Sequence, residues 1–165
     1  MNPVEAIRAV TGWTQARLAL AGATSQPTIA SYESETKSPT WRTVQAVAMG
    51  AGLACYPFVG SPMTREEARS LALHRAIVSA LHASPERVRS LAADNLVVMR
   101  RTNPNAAPLL DEWAHILDMS DQEIASRALD PSEHGRELRQ VSPFAGVLNA
   151  AQRAAVYRAF RAAAR

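Results

Sequence analysis

Residues 14–39 read TQARLALAGATSQPTIASYESETKSP, and the fold of the first third of the chain follows from them. Thr14 is placed to N-cap a helix whose apolar positions include Leu18 and Ala19. A small residue at position 19 lets two helices cross closely, and Gly22 supplies backbone freedom for the turn that follows. Ser25 is placed to cap a second helix in which Pro27 falls early, where its missing N–H does no harm. Ile29 and Tyr32 then point back toward Leu18, which leaves Gln26, Thr28 and Ser31 on the outer face. The spacing predicts helices over 15–21 and 26–33, preceded by one over 3–10 and followed by one over 41–50.

Two short helices crossing at a tight turn are the sequence form of a helix-turn-helix, whose second helix enters the DNA major groove. The outward residues fit that use. A Gln amide can bond bidentately to adenine, and Thr or Ser hydroxyls can meet several base edges, each good pairing giving ~1–3 kcal/mol of discrimination. A helical hairpin without a nucleic-acid role is the plainer alternative.

Thr14, Gln15, Leu18, Ala19, Thr24, Ser25, Gln26, Thr28, Ile29, Tyr32, Glu33 and Pro39 make residues 3–53 resemble the Xre/Cro-repressor family. That resemblance implies a five-helix, lambda-repressor-like domain. It also implies a phosphate contact for Gln15, a base-facing position for Gln26, Pro27, Thr28 and Ser31, and backbone contacts for Lys37, Ser38 and Arg42. Trp13 and Trp41 stand where the family usually carries Leu and are expected in the core. Two departures stand out: the family's turn glycine is replaced by Ala23, with Gly22 one place earlier, and Arg17 replaces a frequent acid, adding a phosphate contact.

Composition bounds the rest. At 165 residues and 47% apolar, the chain has room for one domain or two small helical ones. The net charge of +3 is compatible with nucleic acid without requiring it. The first 52 residues hold Arg8, Arg17, Lys37 and Arg42 against Glu5, Glu33 and Glu35, so one copy should bind DNA weakly and salt-sensitively. A homodimer on a two-part operator is therefore expected. A single cysteine, Cys55, excludes a disulfide framework or cysteine metal cluster and reads as a small buried residue. The chain begins with neither a secretory signal nor a membrane span, so a cytoplasmic protein is expected.

Residues 53–63, LACYPFVGSPM, have no helical period and contain Pro57. They are expected to form an extended linker or edge strand, with Ser61-Pro62 as a hinge. Leu53, Tyr56, Phe58 and Val59 are too apolar for a solvated tether, so the segment either pairs with a second copy or packs on the second half. From residue 64 onward every element reads as helix. Thr64 and Glu67 form a capping box for a helix to about Ala83 that buries Leu71, His74, Ile77, Val78 and Leu81. Ser84-Pro85 opens another to about Arg101, and Asn103-Pro104-Asn105 breaks it. Leu109, Leu110, Trp113, Ile116 and Leu117 form an apolar stripe, and Ser120 with Glu123 boxes a helix to Leu129. Asn149 caps a last helix with Ala155, Val156, Ala159 and Phe160 on one face.

The strings TREEARSLALHRAI, DEW and RELRQVSPFAGVL make residues 64–161 resemble, more loosely, a region found behind Xre-type domains in actinobacterial antitoxins. Some of those are paired with nucleotidyltransferase toxins, so the resemblance implies a cognate toxin as partner. Independently of that likeness, Arg136, Arg139, Arg153, Arg158, Arg161 and Arg165 face only one acid, Glu137, over the last thirty residues. Arginine forks match carboxylates or phosphates, so a partner surface is expected there, a solvated helix face being the bland alternative. Phe144 in SPFAGVL is either an exposed anchor or a plug for its own core.

Asp111, His115 and Asp118 share a helical face that could touch a metal, but a solvated face explains them as well; His74 and His82 are too far apart for one ligand pair. No phosphate loop, Cys–His set or serine elbow is present, so neither catalysis nor a cofactor is expected. The expectation is an all-α chain: a helix-turn-helix domain over 1–52, a linker over 53–63 and a helical partner-binding domain over 64–165. It would act as an antitoxin-like autorepressor. The rival is a self-standing regulator whose second domain senses a ligand or oligomerises.

Overall fold

The computed structural model describes residues 2–57 and 59–163. Among them the chain is all-helical, with no strand, and divides into two compact units, Met1–Val59 and Gly60–Arg165. Phe58 of the expected linker and Arg165 of the C-terminal charge cluster lie outside the described residues. No described helix is long and apolar enough to cross a membrane.

The first unit holds α1 (Pro3–Thr11), α2 (Gln15–Ala21), α3 (Gln26–Glu33) and α4 (Trp41–Gly50). Where the family resemblance implied five helices, the described residues of this unit contain four, because residues 53–57 form no helix. Each start is marked by a polar cap. The side chains of Asn2, Thr14, Ser25 and Thr40 accept from Glu5, Arg17, Thr28 and Thr43 N–H groups. The core is Val4, Ile7, Leu18, Ala19, Ile29, Val44, Val47, Ala48 and Ala51, all buried. Leu53 and Cys55 pack against this same core, so the start of the expected linker belongs to the first unit. Burial raises the Cys55 thiol above its ordinary pKa, keeping it protonated. Tyr56 and Val59 stay exposed.

Two sequence expectations fail here for local reasons. The left-handed residue of the α2–α3 turn is Ala23, at φ +50°, while Gly22 has φ −88°. Gly22 is needed instead for closeness, since a Cβ there would sit 2.8 Å from Val47 Cγ2. Trp41 is not core: at the first position of α4 it projects outward and is 42% exposed. Trp13 does pack, half-buried, against the core.

The second unit contains α5 (Arg65–Ala83), α6 (Pro85–Thr102), a single 3-10 turn (Pro104–Ala106), α7 (Ala107–Leu117), α8 (Asp121–Ala128), α9 (Glu133–Gln140) and α10 (Ala150–Ala163). Both expected capping boxes form, Thr64 with Glu67 and Ser120 with Glu123. Glu67 and Glu123 are held below the ordinary carboxylate pKa chiefly by these cap hydrogen bonds. α5 buries Leu71, His74, Ile77, Val78 and Leu81, as its period requires. α9 was not foreseen: EHGRELRQ has Leu138 as its one large apolar residue and a glycine inside, so it shows no helical stripe. Trp113 is fully buried at the centre, its Nε1–H donating to Leu138 O at 2.8 Å. Arg89 of α6 donates to the carbonyls of Leu117 and Met119 and to Asp121 Oδ1, pinning the α7–α8 corner.

Candidate nucleic-acid interface

α3 is held from three sides by polar groups as well as by its core contacts. Asn2 Nδ2 donates to the carbonyls of Tyr32 (2.9 Å) and Glu33 (3.1 Å), tying the start of α1 to the end of α3. The Glu33 carboxylate accepts from Arg8 Nε of α1 through Oε1 and from Gln15 Nε2 of α2 at 2.8 Å through Oε2. One acid at the end of α3 therefore orients both neighbouring helices. Sequence reasoning noted Glu33 without giving it this role. Its position one turn beyond Ile29 is the signal that was available.

The inner side of α3 is Ile29, fully buried, with Tyr32 packed beside it. Gln26 and Pro27 are exposed at the N-terminal end. Thr28 is half-buried and its hydroxyl lies 2.8 Å from Ser25 Oγ, in the cap. Ser31 Oγ donates to Pro27 O at 2.8 Å, which spends its one hydroxyl proton and leaves the oxygen as an acceptor. Gln15, half-buried, gives one amide proton to Glu33 and keeps the second. Arg17 is exposed with its guanidinium over the Trp13 ring, 4.1 Å from the centroid. Lys37, Ser38 and Arg42 are exposed beyond α3, where the chain turns through Glu35 at φ +58°. Thus α2 and α3 bring Gln26, Pro27 and Arg17 to the surface of one unit, while Arg8 is committed to Glu33.

The C-terminal residues expected to meet a partner divide differently. Phe144 is buried, its ring edge-on to Trp113 at 5.3 Å, so it plugs its own core. Arg139 is 5% exposed and donates to the carbonyls of Ala128 and Asp130, closing the α8–α9 corner. Arg136 is nearly buried and faces Glu67 at 3.5 Å. The expectation of a partner surface at these three is corrected: Phe144 and Arg139 are buried and Arg136 is largely covered beside Glu67, although Arg136 Nε and Arg139 Nε and Nη2 have no hydrogen-bond partner. Arg153 is exposed but donates to Leu148 O at 2.7 Å, and Arg158 and Arg161 are exposed on α10. The last helix also presents a different inner face from the one expected. Val156, Tyr157 and Phe160 are half-buried, while Ala155 and Ala159 are exposed.

Two histidines show how the second unit treats charge. His74 is buried, with Nδ1 2.8 Å from Ser70 O and Nε2 2.8 Å from Ser142 Oγ. A carbonyl only accepts, so Nδ1 carries the proton and Nε2 accepts from Ser142. Burial, with a further contribution from the Arg139 charge, depresses its pKa to about 4, so the ring is neutral near pH 7. His134 on α9 is exposed, and its hydrogen bond to Glu112 raises its pKa. Asp111, of the aligned acid–His face, is paired with Arg100 at 2.6 Å, and no group of three or more potential ligands converges among the described residues.

No protein-family model, curated protein or solved structure matches the chain.

Proposed function

We propose that this chain binds double-stranded DNA in a sequence-specific way through α3, as a homodimer on a two-part operator, and represses its own gene in the cytoplasm. The observation that carries the reading is the division of α3: Ile29 faces the core while Gln26 and Pro27 stand clear at its N-terminal end. The N-terminal residues of a recognition helix are those that meet base edges. Arg17, Lys37 and Arg42, exposed on either side in sequence, supply phosphate contacts. Ser31, with its proton given to Pro27, would accept from a base amino group. The second unit would hold a cognate toxin, which makes the protein an antitoxin-like repressor. This half of the reading draws on the sequence likeness of residues 64–161 and on the exposed Arg153, Arg158 and Arg161. A regulator with a ligand-sensing second unit is the other reading. It draws on a cavity of about 370 Å³ lined in part by Leu73, His74, Ile77, Phe144 and Arg153.

The test compares two substitutions on DNA from upstream of the chain's own gene and on scrambled DNA. Gln26→Ala should cost ~1–3 kcal/mol on the cognate duplex alone and relax preference at one position in each half-site. Arg42→Ala should weaken both duplexes alike and shallow the salt dependence by about one unit. Equal behaviour of the two variants on both duplexes would remove α3 from the groove. Co-expression with the product of the neighbouring gene separates the two readings of the second unit. A stoichiometric complex and restored growth support the toxin partner, and operator affinity changed by a small ligand without such a complex supports sensing.

A further inference from the structure

α10 is the least embedded helix of the second unit. None of its described residues is buried, although it lies along α5. Its sequence, AAQRAAVYRAFRAA, contains three arginines and no acid. Between α5 and α10 runs a groove of about 400 Å³ lined by Arg65, Glu66, Arg69, Tyr157, Phe160 and Arg161. Three cations meet one carboxylate there. Glu66 is mostly exposed and reaches only 3.7 Å from Arg69, a contact that neutralises little in water. The floor includes two aromatic side chains that the helix pair leaves half-covered.

A groove with an apolar floor and cationic walls fits an extended or helical segment that carries carboxylates around an apolar side chain. The arginine forks take the carboxylates, and Phe160 takes the anchor. A single nucleic-acid strand fits less well. It needs open ring faces on which bases stack, and the Tyr157 ring already lies under the Arg69 guanidinium at 5.8 Å. We propose that the α5–α10 groove docks an acidic segment of a partner protein. This rests on the reading that the second unit binds a protein, and it is independent of α3 and of DNA.

Fluorescence anisotropy on the full chain tests it, with a fluorescein-labelled helical peptide built from Glu, Leu and Ala as probe. Saturable binding is expected, weakening by about tenfold or more in the Arg69→Glu/Arg161→Glu double variant. The Glu-to-Gln version of the peptide should bind no better than that variant does. Both altered residues are exposed, so circular dichroism should show an unchanged fold, and Arg101→Glu on the exposed end of α6 should keep full affinity. Absence of saturable binding overturns the proposal, as does equal affinity in the double variant or for the Gln peptide. A single-stranded oligonucleotide that binds more tightly and loses affinity in the same variant reassigns the groove to nucleic acid. Because operator binding is read separately through Gln26→Ala, loss of one activity leaves the other measurable.

Discussion

Single residues in this chain carry roles that their neighbours in space, not in sequence, determine. His74 is the clearest. In the unfolded chain its imidazole titrates near the ordinary value of about 6.5, whereas burial holds it to about 4 in the folded unit. Between those values the unfolded state binds more protons, so stability rises with pH and is lost as pH falls from 6.5 toward 4. The full difference is about 3 kcal/mol. Proton NMR should show one imidazole that does not titrate above about pH 5, and a midpoint near 6.5 for His74 would mean that the ring is solvated. The position of this histidine on the buried stripe of α5 was legible from the period alone. Its partner Ser142, 68 residues away, was not, because sequence spacing carries no information about which loop closes over a helix. The same holds for Arg139, whose place in an arginine cluster suggested a surface and whose packing made it interior, and for Phe144, whose two readings only the packing could separate.

At the scale of elements, helix starts were the readable feature. Thr14, Ser25, Thr64 and Ser120 all cap the helices that their sequences announce, since a cap needs only residues within one turn. Helix crossings needed the third dimension. α4 meets α2 at Gly50, where an added Cβ would overlap the Ala21 carbonyl, a backbone atom that cannot swing aside. Gly50→Ala should therefore destabilise the first unit by ~1–3 kcal/mol despite the better helix propensity of alanine. Thermal unfolding should show a drop of a few degrees, and a rise would mean that the two helices can separate without cost. Gly135 is constrained in the same way by the backbone and side chain of Asp130, which explains a glycine in the first turn of α9 and the weak helical signal there.

For the whole molecule, charge sets what one copy can do. Arg8 is committed to Glu33, which leaves Arg17, Lys37 and Arg42 as the exposed cations of the first unit. Three phosphate contacts predict a slope of log K against log salt of about −3 on an isolated half-site, and about −5 on a two-part operator bound by a dimer. A steeper slope on the half-site would mean that the second unit touches DNA as well. The all-α class was legible from composition and caps, and the groove between α5 and α10 was not, because its six lining residues come from stretches about ninety residues apart.

The stacking of Arg17 on Trp13 would give the proposed DNA-binding face its own optical probe. An indole under a cation emits differently from a bare one, and a phosphate that draws Arg17 away uncovers the ring. Trp41 is exposed and Trp113 fully buried, so replacing Trp41 with Phe leaves Trp13 as the tryptophan whose emission a duplex would change, over a constant signal from Trp113. Docking on a duplex could then be followed without a dye, and with the time resolution of a stopped-flow fluorimeter.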